Sequence, residues 1–129
     1  MQRRIVKEIR NYTPHPLELY DGNEKLLTIE PTGYVVRAKE EKTKVGELLF
    51  GNILIPVYRI DYGAPTLVNE KTKEELPLPQ VQEGVVLVVS SLAAQSLRKY
   101  TNRDDFLVPG DPVRDEKGRI IGMRGLCII

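Results

Sequence analysis

The chain has 129 residues, is 41% hydrophobic and 29% charged, and carries a formal net charge of +1. That length and composition suit one folded domain over residues 1–129 and exclude a disordered or low-complexity protein, which has too few apolar groups to offset the entropy of ordering. The near-zero charge disfavours nucleic acid as a partner, because phosphate neutralisation demands a large basic excess.

The charge is unevenly spread. Residues 1–10 hold four basic groups against one acid, residues 11–97 are net acidic, and residues 98–129 are slightly basic again. Arg3, Arg4, Lys7 and Arg10 therefore form a local basic patch, the one feature that would suit a DNA-binding module. Charge returns after Ile5-Val6, so the N-terminal segment lacks the apolar core of a secretory signal. The longest uninterrupted apolar stretch, Val85–Val89, is far too short to span a bilayer. These features predict a cytoplasmic protein with no membrane segment. Abundant Glu and Lys with little Asn, Gln, Met and Cys leans toward a thermophilic source.

Along the chain, Leu17–Tyr20 alternates apolar and polar residues, Asp21-Gly22 supplies a turn, and Leu27–Ile29 alternates again, which predicts a hairpin. Pro31-Thr32-Gly33 makes a further turn before a strand at Tyr34–Arg37. The charge run Lys39–Lys44 reads as a solvated loop or strand tip. Ile53–Tyr62 is rich in β-branched and aromatic residues, with Pro56 placing it at an edge or bulge and Gly63-Ala64-Pro65 ending it. Residues 69–75 are polar, and Pro77-Leu78-Pro79 reads as an extended connector.

Val85–Val89 is apolar without a break and predicts a central strand buried on both faces. Ser90 and Ser91 stand where a helix N-cap belongs, ahead of a helix over about residues 91–100 with Ala93, Leu97 and Tyr100 facing the core. Phe106–Val108 reads as a strand, and the spacing leaves open whether it runs parallel to Val85–Val89. A last hairpin runs from Val113–Asp115 through Glu116-Lys117-Gly118 to Arg119–Met123. The fold class is therefore α+β: mostly antiparallel, short-stranded sheet around one main helix.

Asn11-Tyr12-Thr13-Pro14-His15, Leu78-Pro79-Gln80, Val88-Val89-Ser90-Ser91-Leu92, Ala94-Gln95-Ser96-Leu97 and Arg114-Asp115-Glu116-Lys117-Gly118-Arg119-Ile120-Ile121-Gly122 are distinctive in combination. Together they resemble a group of short proteins encoded in phage, archaeal-virus and prokaryotic genomes, to which no activity is attached. The resemblance spans most of the chain and implies a mobile-element origin without a mechanism. Val68–Leu76 departs from the group as an insertion-like stretch that lengthens one loop.

Candidate chemistry is sparse. His15 is the only histidine and Cys127 the only cysteine, so a metal site would rest on scattered carboxylates, and neither a metal nor a cofactor is expected. Cys127, in the apolar tail Leu126–Ile129, reads as a buried small hydrophobe. His15, held extended between Pro14 and Pro16, is the candidate general acid or base. Asn11, Thr13 and His15 equally suit a turn organised by side-chain hydrogen bonds. Ser90 and Ser91, at a helix start, suit either an anion or simple capping. A Ser-His-Asp triad from Ser90 or Ser91, His15 and Asp104 or Asp105 lacks the glycine-flanked elbow such a serine needs. Asp104, Asp105, Asp111, Asp115 and Glu116 read as solvated turn carboxylates rather than a Mg²⁺ site.

The reading these features favour is a small accessory protein of a virus or mobile element that binds a host protein or a small anionic ligand. The alternative is a nucleotide- or phosphodiester-processing enzyme using His15. The apolar C-terminus further predicts a homodimer with residues 119–129 at the interface.

Overall fold

The computed structural model describes residues 3–129; Met1 and Gln2 lie outside the described residues. Its elements are β1 (Glu8–Asn11), β2 (Leu17–Asp21), β3 (Glu24–Ile29), β4 (Tyr34–Phe50), β5 (Ile53–Asn69), β6 (Glu75–Leu76), β7 (Val85–Val88), α1 (Ser91–Tyr100), β8 (Phe106–Arg114) and β9 (Ile120–Cys127). The fold is α+β, as the hairpin signals and the single helical segment imply. Six strands form one mixed sheet in the order β1-β7-β8-β9-β2-β3, and β4-β5-β6 form a second, antiparallel sheet.

The Leu17–Ile29 hairpin forms as expected, with Gly22 at φ 60° in the two-residue turn. Only glycine, asparagine and aspartate tolerate that conformation readily. β7 pairs in parallel with β1 on one side and β8 on the other, so the unit Val85–Val108 is a parallel crossover through α1. Its alternation places Leu87 and Val89 against Ala93, Ala94, Leu97 and Phe106. Val88, pointing the other way, packs on Leu17 and Leu19 inside the curl of the sheet. This two-sided burial is why the strand carries no polar residue.

Ser90 caps α1 through a hydrogen bond from the Ala93 N–H to its Oγ (3.2 Å), and Arg98 and Lys99 lie in the last turn, where the helix dipole favours cations. Tyr100 departs from expectation: its ring is exposed, and its hydroxyl donates to the Tyr62 carbonyl at 3.2 Å. Cys127 is also exposed rather than buried. β9 nonetheless lies inside the sheet, with β8 on one edge and β2 on the other. β8 and β9 run so close at Gly110 that a Cβ there would collide with the Arg124 backbone, which restricts the position to glycine.

The C-terminal hairpin is built around Asp115. Its Oδ1 accepts from the Lys117 and Arg119 N–H groups, both at 2.9 Å, and its Oδ2 pairs with Arg119 Nε at 2.9 Å. The backbone and side-chain bonds from Arg119, with the Lys117 N–H, hold the Asp115 carboxyl below its usual range. A depressed pKa contributes stability that is present above the ordinary carboxylate value and lost as pH falls through the lower, folded one. The Lys117 and Arg119 amide resonances are accordingly expected to move together below about pH 4, and Asp115→Asn is expected to remove that titration. Unchanged amide shifts across this range would contradict the role assigned to Asp115.

The largest departure from the sequence reading is β4 and β5. Lys39–Lys44 is no loop, and Gly63-Ala64-Pro65 ends nothing: both strands run for 17 residues as one long hairpin. Its register shifts between Ala38 and Glu40 and between Lys44 and Gly46, bulges that absorb residues a regular ladder rejects. At the base, Val35, Val36 and Leu67 are buried, and Val36 and Leu67 pack with α1 and Tyr12 in the main core. α1 still bonds the Tyr62 and Gly63 carbonyls, and beyond the Glu40–Tyr62 pair the hairpin leaves the body as a two-stranded arm.

Candidate functional site

Asn11 and Thr13 organise structure around themselves. Asn11 is fully buried; its Nδ2 donates to the carbonyls of His15 (2.8 Å) and Ile29 (3.1 Å), and its Oδ1 accepts from the Thr13 N–H (2.9 Å) and hydroxyl (2.6 Å). The Thr32 N–H donates to the Asn11 carbonyl at 3.0 Å, next to a parallel bridge between Asn11 and Pro31. These bonds tie the end of β1 to the chain leaving β3, where the curled sheet's two edge strands meet. His15 contributes its carbonyl to this knot while its side chain is exposed.

Ser90 and Ser91 are exposed at the start of α1. Ser90 borders a groove of about 300 Å³ with Tyr12, Thr13, Pro14, Val36, Arg37, Glu40, Tyr62 and Leu92. The structure thus brings Thr13 and Ser90 to one groove; Asn11, His15 and Ser91 are not in its wall. Asp104 is exposed, whereas Asp105 is buried, a correction to its reading as a solvated turn residue. Arg103 clasps Asp105 with two bonds of 2.7 Å and donates to the Pro79 carbonyl at 2.8 Å. The hydrogen bond to Asp105 raises the Arg103 pKa, favouring the charged guanidinium. Asp105 is therefore already engaged, and among the described residues no group of three or more His, Cys, Asp or Glu is placed to hold a metal ion. Within the N-terminal basic patch, Arg10 is paired with Glu8 at 3.0 Å, and Arg3 and Arg4 are exposed. Among the described residues no helix is long and apolar enough to cross a membrane.

The feature with the least internal explanation is the arm. Leu48-Leu49-Phe50 and Ile53-Leu54-Ile55 flank the turn Gly51-Asn52, with Gly51 at φ 63° and no left-handed residue after it, the pattern of a type II′ hairpin turn. All six apolar side chains are exposed, Phe50 at 74% and Leu49 at 68%. The pairs Leu48–Ile55 and Phe50–Ile53 share one face and Leu49–Leu54 the other. Both faces of the tip are therefore apolar. Behind it the charges of the stalk neutralise one another: Lys42–Glu40 (3.4 Å), Lys44–Glu47 (3.1 Å) and Arg59–Asp61 (3.5 Å) pair along it.

An isolated two-stranded ribbon is marginal in water, and contiguous apolar patches of this kind mark contact surfaces. The tip escapes the reading of single residues, although two apolar triplets around Gly-Asn form a hairpin signal. No family model, curated protein or solved structure matches the chain, and its own geometry carries the functional argument.

Proposed function

We propose that this protein is a small accessory factor of a virus or mobile element, working in the cytoplasm by protein–protein contact rather than by turnover. The observation that carries the reading is the arm, whose six exposed apolar tip residues sit at the end of a charge-balanced stalk. An apolar tip at the end of a lever is costly to leave in water and serves no packing need of its own chain. The groove at Ser90 supports catalysis poorly: the serine hydroxyl is occupied in capping the helix, and His15 is not in the groove wall.

The test compares tagged full chain with a Leu49→Asp/Leu54→Asp variant. The expected result is that the full chain retains protein partners, itself or others, that the variant releases, while both give the same thermal melt. Identical partner sets for the two chains, or conversion of a nucleotide panel by the full chain, would overturn the reading.

A further inference from the structure

The arm's outline restricts what can cover it. Root to tip, Glu40 to Phe50, spans roughly 33 Å at strand rise, about the diameter of a 100-residue body. Nine large apolar residues on it are exposed: Val45, Leu48, Leu49, Phe50, Ile53, Leu54, Ile55, Tyr58 and Ile60. Together they present roughly 1,000 Å² to solvent, compared with the ~800 Å² per partner of a standard specific interface. The arm alone is large enough to make a stable association. Residues 39–62 hold four basic and four acidic side chains, so the stalk offers no net attraction to an anionic lipid surface or to nucleic acid.

A tip apolar on both faces needs a receptor with two walls, and this chain has one. Where the arm leaves the body, a crevice of about 250 Å³ runs between Ile60, Asp61 and Tyr62 of the arm root and Leu92, Gln95, Ser96 and Lys99 of α1. Leu92 and Ile60 are themselves exposed apolar residues. The face of the arm that borders the crevice carries, from root to tip, the cross-strand pairs Glu40–Tyr62, Lys42–Ile60, Lys44–Tyr58, Glu47–Pro56 and Leu49–Leu54.

We infer that the occupant of this crevice is the arm tip of a second copy of this chain, the two arms lying antiparallel about a two-fold axis. The inference rests on the reading of the arm as a contact element and names its partner. Arms of equal length, overlapped fully and antiparallel, bring each tip to the other's root by symmetry. In that arrangement Leu54 meets the partner's Tyr62, Pro56 the partner's Ile60 and Tyr58 its own symmetry copy along β5, while along β4 Glu47 faces the partner's Lys42 on both sides of the axis, Leu49 faces the partner's Glu40 and Lys44 its own copy. Apolar groups thus oppose apolar groups along β5, and the Lys42–Glu47 pair is complementary and made twice. Such a two-fold interface is closed and does not propagate into fibres.

Sedimentation equilibrium at micromolar concentration is the direct measurement. The full chain is expected to be a dimer, and Leu49→Asp/Leu54→Asp or Leu92→Glu to weaken association by ~100-fold or more, since each symmetric interface loses the contact twice. Phe50→Cys and Gln95→Cys, made separately in a Cys127→Ser background and mixed, are expected to form a disulfide-linked pair on mild oxidation. Far-UV circular dichroism and thermal melts of each variant verify that the fold persists. A monomeric full chain, or a dimer indifferent to both the tip and the crevice substitutions, would overturn the inference. A monomer that still captures a different protein in a tip-dependent way overturns the second copy as partner and leaves the contact function of the arm standing.

Discussion

Asn11→Ala is expected to destabilise the protein by about 3 kcal/mol, lowering the melting midpoint by roughly 10 °C. The side chain is completely buried and all four of its hydrogen-bonding positions are used. Truncation removes the Asn11 bonds to the Ile29 carbonyl and the Thr13 N–H at the point where the sheet's edges are tied. Buried polar groups left unpaired cost more than the net value of the bonds that satisfied them. Asn11→Asp sharpens the test, because it retains the acceptor for Thr13 but turns a carboxylate toward the carbonyls of His15 and Ile29. Burial and repulsion would raise that carboxyl's pKa in the folded state, so its stability is retained at low pH and lost as pH rises through the folded value. Urea melts at pH 4 and pH 7 distinguish the two variants: Asn11→Asp is expected to be closer to the parent at pH 4, and Asn11→Ala equally impaired at both. A loss below 1 kcal/mol for Asn11→Ala would show that the edges are held by the backbone bridge alone.

Asp105→Ala is expected to cost a similar amount, about 3–4 kcal/mol, for a different reason. The carboxylate and the Arg103 guanidinium are both largely enclosed, with side-chain exposures of 4% and 10%, and their two bonds of 2.7 Å are close to optimal. Removing the acid leaves a guanidinium held in place by the Pro79 carbonyl with no counter-charge. The same site loses little when both charges go, since a buried pair roughly balances its own desolvation. The double substitution Arg103→Met/Asp105→Leu is therefore expected to recover much of the loss. Because the pair is shielded, raising salt from 0.1 to 0.5 M should change the cost of Asp105→Ala by less than ~0.5 kcal/mol. A strongly salt-dependent cost, or a double variant no better than the single, would place the pair effectively in solvent.

These two residues also mark a boundary in what the sequence expresses. Asn11 and Thr13 could be read as turn-forming residues because Asn and Thr bond their own neighbours, and they do. That the same Asn11 also reaches Ile29, 18 positions away, depends on the curl of a sheet whose parallel pairs, β1 with β7 and β2 with β9, join distant parts of the chain. Asp105 is one of two adjacent aspartates beside an arginine, and local sequence carries no sign of which one is buried. The two bonds from Arg103, itself anchored on the Pro79 carbonyl, decide it.

The sequence by itself determined the elements whose information is local: the Leu17–Ile29 hairpin from its alternation and glycine turn, the two-faced strand from five consecutive apolar residues, the helix from its serine cap, and the C-terminal hairpin from Asp115 and Gly118. Only the tertiary structure decided the parallel order of the central strands and the arm. The physical reason is the same in both cases. A strand announces itself by alternation when one face is buried and the other wet, and the Lys39–Lys44 stretch of the stalk is wet on both faces while the tip is apolar on both. Neither pattern has a period to read, so the arm emerges only where β4 finds β5 and carries its apolar end beyond the reach of its own core.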